Sequence, residues 1–268
     1  MISLLAPTAE PARPARLLVV LTAVSFALLA LSLAWAAVDA RSLGGDPVWL
    51  KPMKFAVSFA ALFGTLALLE SRLSPPWRDG WAARGTAFVM GAALLAEMAW
   101  VFHQAARARA SHYNAETAFE ALMYRNVMGV GAVLLVLGIA VFGVIAWRDR
   151  EARLGPALRA GVALGFGLSF VLTLVSAGVL SAQGGHFIGT PTPGAATIPF
   201  FGWSAAVGDL RPAHFVALHA MQGLPLLGWW LDRRGRRPWI VAGAALAYVA
   251  LTGALFAQAW AGMPLLRL

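Results

Sequence analysis

The stretch LLVVLTAVSFALLALSLAWAAV, from Leu17 to Val38, contains no charged residue over 22 positions. A membrane-spanning helix needs about 20 consecutive apolar residues, so this run is long enough to cross a bilayer. It is also longer than the apolar core of a cleaved signal peptide, which is about 7–15 residues. The sequence therefore predicts a first membrane span that begins near Ala15, after Arg13 and Arg16.

Similar apolar runs recur along the whole chain, and the composition agrees with them. The chain is 60% hydrophobic and 12% charged, whereas soluble domains are about 45–50% apolar and about 25% charged. We predict an all-α fold, a single transmembrane bundle over residues 1–268 with about seven spans. The predicted spans are roughly 15–38, 47–69, 85–106, 118–147, 157–182, 210–231 and 238–261, with a long connection over 183–208.

Local signals mark the starts of three predicted spans. Asp46 before Pro47 is typical of an N-cap followed by proline at the first helical position. Thr117 and Glu120 have the spacing of a capping box. Asp209 is a candidate cap for the sixth span.

Basic residues predict the orientation of the bundle. Most of the 21 lysines and arginines lie in the N-terminal tail and in the second, fourth and sixth connections. The positive-inside rule then places the N-terminus in the cytoplasm and the C-terminus outside. The net charge of +9 follows from this pattern and does not indicate nucleic-acid binding. The alanine-, glycine- and arginine-rich composition favours a bacterial plasma membrane, in which all five histidines lie in the extracytoplasmic half.

Charged residues inside the spans indicate candidate catalytic positions. An ionisable group in hydrocarbon costs about 2.5–3.5 kcal/mol, so Glu97 and Arg125 are predicted to face the interior and to pair. One interpretation is that such groups only satisfy each other and fix helix packing. The other is that they belong to a functional site.

The histidines are the natural ligands in a chain without cysteine, since imidazole binds transition metals and heme iron. The candidate metal ligands are His103, His112, His186, His214, His219 and Asp209. The candidate cofactor-binding residues are His103, His214, His219, Lys51, Lys54, Arg211, Trp100 and Gln222. Because five residues turn a helix by about 140°, His214 and His219 are not expected to share one small metal.

The connection over 183–208 is rich in glycine and proline, which disfavour a regular helix, and it also carries several aromatic residues. Long loops in compact domains are commonly lids or binding loops. We predict that it folds over the bundle and brings His186 towards the other histidines. The alternative is a re-entrant or interfacial segment anchored by its aromatic residues.

Four stretches resemble those of an uncharacterised family of bacterial multi-span membrane proteins. They are DPVWLKPMKF (Asp46–Phe55), SHYN (Ser111–Asn114), GWS (Gly202–Ser204) and GDLRPAHFVALHAMQ (Gly208–Gln222). The family has no assigned activity, so the resemblance implies no functional residue. A retinal protein is excluded because the only lysines are Lys51 and Lys54. Histidine spacing departs from that of membrane ceramidases and adiponectin-receptor-like hydrolases. Histidines on separate helices are similar in arrangement to heme A synthase.

Three classes of function remain open. The first is a redox protein that binds b-type heme or another transition metal, such as copper or iron, with His103 and either His214 or His219 as ligands and a quinone as partner. The second is a zinc-dependent hydrolase or transferase acting on a lipid-like substrate, with Glu97 or Glu116 as base. The third is a non-enzymatic transporter or sensor. All three have the lipid bilayer as surroundings, and the sequence predicts no oligomeric state.

Overall fold

The computed structural model describes residues 16–192 and 194–267, so Arg13 and the predicted start of the first span at Ala15 lie outside the described residues. A π-helical turn, Met123–Met128, runs without a break from a short helix into a long one. The helices of the described residues are α1 (Leu17–Ala36), α2 (Leu50–Glu70), α3 (Pro75–Arg78), α4 (Trp81–Ala106), α5 (Ala118–Leu122), α6 (Gly129–Arg148), α7 (Pro156–Gln183), α8 (Arg211–Arg233) and α9 (Trp239–Trp260).

The fold is an all-α helical bundle, as predicted. Six helical segments of the described residues are long and apolar enough to cross a membrane: α1, α2, α3 with α4, α5 to α6, α7 and α9. They indicate a multi-pass membrane protein. The remaining long helix, α8, is not among them and is less apolar, since it carries Arg211, His214, His219 and Gln222.

The start of α2 differs from the prediction. Asp46–Pro47 forms strand β2, which pairs antiparallel with strand β1, Ser42–Leu43, and α2 begins only at Leu50. Gly44 and Gly45 adopt positive φ, a conformation that glycine allows in tight turns. The turn returns the chain onto itself, so Asp46 is part of a hairpin and not the predicted N-cap.

The capping box before the fourth predicted span is present. The Glu120 amide donates to Thr117 Oγ1 at 3.1 Å, and the Thr117 hydroxyl donates to the Glu120 carboxylate at 3.1 Å. In contrast, α4 begins at Trp81 and not near Gly85, because the chain already turns into a helix after the short α3.

The main core lies between α2, α4 and α6, with side chains from α1 and α7 at its edges. Its fully buried side chains include Phe63, Met90, Leu94, Ile139 and Phe142. Lipid is as apolar as these side chains, so close packing contributes more than transfer out of water to the spanning part of the bundle.

Helices α7 and α8 approach so closely that glycine is required between them. A Cβ atom on Gly161 would lie 2.5 Å from the Leu224 carbonyl oxygen, and one on Gly165 would lie 2.6 Å from that of Ala220. Asp232 near the end of α8 also accepts from the Leu158 amide at 2.8 Å. This carboxylate satisfies a free N–H group at the start of α7 and fixes the pair of helices in register.

One end of the bundle is covered by residues 184–210. Strand β3 (Phe187–Ile188) pairs antiparallel with β6 (Gly208–Asp209), and β4 (Thr197–Ile198) pairs antiparallel with β5 (Trp203–Ser204). We call this end, where α2 and α8 begin and α4 and α7 end, the capped end. The opposite end is the arginine-rich end.

Candidate functional site

Two cationic side chains join the starts of α2 and α8 through the 184–210 segment. Lys54 Nζ donates to the Phe201 carbonyl at 3.2 Å, and Arg211 Nη2 donates to the Gly202 carbonyl at 2.6 Å. Gly202 has a φ of 69°, and a Cβ atom there would lie 3.2 Å from the Asp46 carboxylate. Glycine at this position therefore allows the chain to present two adjacent carbonyls to two helices.

Asp209 orders the start of α8. Its buried carboxylate accepts from Arg211 Nη2 at 2.6 Å, from the Ser204 amide at 2.9 Å and from the Arg211 amide at 3.0 Å. It accepts from the amide of the first residue of α8 from one position before the N-cap, which is Leu210 and has no side-chain cap bond, so the predicted cap at Asp209 is wrong by one residue. Because both of its oxygens accept from protein donors, the geometry favours this structural role over the predicted metal ligation.

Lys51 is the cation of this site that lacks a protein acceptor. Its side chain is half-buried, and among residues 16–192 and 194–267 it forms neither a hydrogen bond nor an ion pair. Its neighbouring charges include the cations Lys54 and Arg211. The nearby carboxylates are Asp209, which is occupied by Arg211, and Asp46, whose side chain is 53% exposed and lies 3.8 Å from Lys54 Nζ. Three cations against two carboxylates leave the site positively charged.

Aromatic and imidazole rings surround these cations. The Tyr113 ring lies 5.3 Å from that of Tyr124 and 6.3 Å from that of His186, measured between centroids. His112 lies 5.9 Å from Tyr124 and 5.5 Å from Phe55. The structure therefore brings His112 and His186 together with Lys51 at the capped end. Sequence reasoning missed Tyr113 and Tyr124; the SHYN stretch is a signal for Tyr113 alone.

Burial and the local positive charge keep both imidazoles neutral. Burial, and secondarily the Lys51 ammonium, lower the pKa of His112 well below its usual value. Burial, then Arg211, lowers the pKa of His186 to about 4, against the opposing effect of Asp209. Burial raises the pKa of the Tyr113 phenol to about 12. At neutral pH the site therefore offers uncharged donors and acceptors around the Lys51 ammonium.

A second polar group lies deeper, between α8 and α2. The Thr65 hydroxyl donates to the Ala61 carbonyl at 2.7 Å, so its oxygen must accept from Gln222 Nε2, 3.3 Å away. This orients Gln222 Oε1 towards His219 Nδ1 at 3.1 Å. Because an amide oxygen only accepts, Nδ1 of His219 carries the proton. Its Nε2 is the unprotonated nitrogen and has no partner among the described residues.

His214 belongs to a different contact. Its Nδ1 lies 3.0 Å from the Ser176 hydroxyl of α7, whereas His219 is oriented through Gln222 towards α2. The two histidines of α8 therefore serve different neighbouring helices.

The structure does not bring His103 to the other histidines. His103 is exposed and stacks on Trp100 of its own helix at 5.8 Å between ring centroids. Trp100 is buried and donates its indole N–H to the Ser111 carbonyl at 3.0 Å. Trp100 therefore anchors the loop after α4, and the predicted pairing of His103 with His214 or His219 has no supporting contact.

The predicted ion pair between Glu97 and Arg125 is wrong. Glu97 is buried, its Oε1 has no hydrogen-bond partner among the described residues, and a Cβ atom on Gly131 would lie 2.7 Å from that oxygen. Arg125 is exposed in the π-helical turn and forms no ion pair within the described part of the chain. A buried acid that does pair is Glu120, which accepts from Arg109 Nη1 at 3.1 Å.

Within residues 16–192 and 194–267, no three histidine, aspartate or glutamate side chains are grouped so that they could hold a metal ion. No family model, curated protein or solved structure matches the chain. The resemblance to bacterial multi-span proteins therefore stays a prediction, and function has to be inferred from the site itself.

Proposed function

We propose that the protein binds an anionic compound, a phosphate or carboxylate carried by a membrane-soluble molecule, at the capped end of its bundle. Lys51, Lys54 and Arg211 supply the positive charge. His112, His186 and Tyr113 supply neutral hydrogen-bonding groups beside it. The site is suited to binding and orienting such a ligand.

The half-buried ammonium of Lys51 carries this proposal. Burying a cation costs free energy unless a counter-ion or acceptors compensate for the lost hydration. Within the described residues Lys51 has neither, although Lys54, in the next turn, has the Phe201 carbonyl. A bound anion would supply the missing partner, with charge-assisted hydrogen bonds that are stronger than neutral ones.

The positive-inside rule supports a location for this site. The arginine-rich end corresponds to the cytoplasmic side of a bacterial plasma membrane. The capped end then faces the extracytoplasmic side, so the ligand would reach the site from outside or from the outer leaflet.

The chain itself provides a direct test, because Lys51 and Lys54 are its only lysines. Purified protein would be acetylated with an amine-reactive ester in inorganic phosphate and in chloride at equal ionic strength. We expect phosphate to slow acetylation of Lys51, read by peptide mass spectrometry, by about fivefold or more, since an ion pair favours the protonated form over the neutral amine that reacts. Equal rates in the two salts would contradict the proposal. Protein unfolded in dodecyl sulfate gives the reference rate for each lysine.

The second candidate is a redox protein that ligates heme or another transition metal through His219. The observation in its favour is the relay from Thr65 through Gln222, which holds the proton on Nδ1 and leaves Nε2 free. Histidine ligands are commonly oriented in this way by a second hydrogen bond. The cations at the capped end would suit the carboxylates of a porphyrin.

An absorption spectrum and metal analysis of the detergent-purified protein test this candidate. If it holds, His219→Ala should abolish a Soret band or bound metal. His103→Ala is the matched control and should retain it, because His103 is exposed on its own helix. The zinc hydrolase and transporter hypotheses stay predictions, without a contact among the described residues that favours them.

A further inference from the structure

Helices α2 and α8 carry two stripes of residues with matching spacing. Lys54, Ser58, Ala61 and Thr65 recur every three or four residues and therefore share one side of α2. All four side chains are partly exposed. The stripe differs from the fully buried side of α2, which packs into the main core.

The stripe on α8 has the same length. It consists of Arg211, Phe215, His219 and Gln222, again partly exposed. From Arg211 to Gln222, and equally from Lys54 to Thr65, the helix advances eleven residues, or about 16 Å at 1.5 Å per residue. Both helices start at the capped end, so the stripes run parallel.

The stripes are tied together at their two ends. At the capped end, Lys54 and Arg211 bind the adjacent carbonyls of Phe201 and Gly202. About 16 Å further along, Gln222 Nε2 donates to Thr65 Oγ1 at 3.3 Å. The two contacts fix the ends of the stripes relative to each other, whereas the described residues of α2 and α8 are not closely packed between them.

Between the ties, one wall is small and the other is aromatic. The α2 wall consists of Ser58 and Ala61. On the α8 wall, Phe215 packs against His219 at 4.2 Å between ring centroids, with the ring planes tilted by 54°. The Trp203 ring of the 184–210 segment covers Phe215 from above, at 5.6 Å. We call the space between these two walls, from the cationic site to the tie at Thr65, the groove.

We infer that this groove holds the apolar chain of an anionic amphiphile whose charged head is bound by Lys51, Lys54 and Arg211. The inference rests on the proposed function, since it identifies the anion as the head group of a lipid-like molecule. Charge complementarity selects an anionic head, and the partly exposed stripes give its chain access from the bilayer. The aromatic wall and the small residues accommodate a single chain of about 16 Å, or roughly twelve methylene groups.

The test compares two probes in nanodiscs of zwitterionic lipid: inorganic phosphate in the buffer and dodecyl phosphate in the bilayer. Protection of Lys51 from acetylation reports binding of both. Ala61→Trp fills the groove midway between the ties. Leu68→Trp is the matched control, because Leu68 lies on the same helix but beyond the tie at Thr65, at a position that is 70% exposed.

The midpoint is the probe concentration that gives half-maximal protection of Lys51. We expect Ala61→Trp to raise this midpoint for dodecyl phosphate by about tenfold or more, because apolar contacts along the alkyl chain are lost. The midpoint for inorganic phosphate should stay within about twofold, since the head site is intact. Leu68→Trp should change neither. If Ala61→Trp leaves the dodecyl phosphate midpoint unchanged, the groove is refuted but the anion site is not. If phosphate fails to protect Lys51 in the wild-type protein, the proposed function itself is refuted.

A second variant removes the risk that tryptophan prevents folding. The chain has no cysteine, so Ser58→Cys introduces a unique thiol that can be alkylated with a bulky maleimide after folding. The alkylated and unmodified samples come from one preparation. We expect alkylation to weaken binding of dodecyl phosphate alone, and equal binding before and after alkylation would count against the groove.

Discussion

Replacing Lys51 with methionine should make the ligand-free protein more stable and its anion binding weaker. Methionine keeps most of the length and packing of the lysine side chain but removes its charge. In the structure that charge gains no acceptor within the described residues and lies near Lys54 and Arg211. If Lys51 instead stabilised the fold, its replacement by methionine would lower the stability of the ligand-free protein.

The magnitudes follow from the positions of these charges. Residues three apart on a helix have Cβ atoms about 5–6 Å apart. Two unit charges about 8 Å apart repel by about 2 kcal/mol at an effective dielectric constant of about 20, and solvent reduces this because the Lys54 side chain is 24% exposed. We expect Lys51→Met to stabilise the ligand-free protein by about 1 kcal/mol, or about 2–4 °C in Tm. A hydrogen bond to a charged group contributes about 1.5–3 kcal/mol, so the phosphate Kd should rise about 10–100-fold.

Thermal unfolding of detergent-purified protein, followed by tryptophan fluorescence over a range of phosphate concentrations, measures both quantities. Lys54→Met is the control, because it removes the same charge but also breaks the 3.2 Å bond to the Phe201 carbonyl. We expect that variant to unfold at a lower temperature than the wild type. If Lys51→Met also lowers the unfolding temperature without phosphate, then Lys51 is a structural residue and the reasoning fails.

Three further predictions concern Glu97, His186 and Gly165; thermal unfolding checks the first two, and the yield of monodisperse protein in gel filtration checks the third. Glu97→Gln should leave Tm unchanged or raise it, because one carboxylate oxygen has no partner among the described residues, whereas Glu120→Gln should lower it by weakening bonds such as that to Arg109. The free energy of unfolding should be greatest above about pH 6.5 and fall as the pH decreases towards 4, because the folded state lowers the pKa of His186 to about 4 and the unfolded chain accepts a proton more readily. For this partly exposed side chain the loss is about 1–3 kcal/mol. His186→Gln should reduce the dependence of Tm on pH in this range. Gly165→Val should strongly reduce the amount of folded protein, because its Cβ atom would lie 2.6 Å from a backbone carbonyl of α8.

The helix bundle could be predicted from the sequence because a membrane span is a continuous run of apolar residues, which can be recognised without knowledge of distant contacts. The first run predicts α1, found at Leu17–Ala36, and the capping box at Thr117 is likewise a local signal. The start of α2 could not be located in the same way. Asp46 and Pro47 are compatible both with a helix start and with a hairpin, and the positive φ of Gly44 and Gly45 decides for the hairpin.

The direction of side chains was harder to infer than the positions of helices. Sequence reasoning paired Glu97 with Arg125 because both lie inside apolar runs, and it assumed an uninterrupted helical period. Arg125 lies within the π-helical turn Met123–Met128, whose wider turn changes the direction of its side chain from that in a regular α-helix. Arg125 is close to the end of its span, so its long side chain can reach the membrane surface and needs no partner in the core.

The least apolar long helix is the best guide to function in this bundle. An arginine, two histidines and a glutamine in α8 lower the tendency of that helix to enter a membrane, at about 2.5–3.5 kcal/mol for a charged group at the bilayer centre. Packing alone does not account for all of these residues. His214 bonds to α7 and Asp209 pairs with Arg211, yet Nε2 of His219 has no partner among the described residues. The partly exposed stripe of α8 leads from that nitrogen to the cations of the capped end. Among the polar groups that protein contacts leave unsatisfied in this region, the Lys51 ammonium is the one that the proposed anionic head would satisfy.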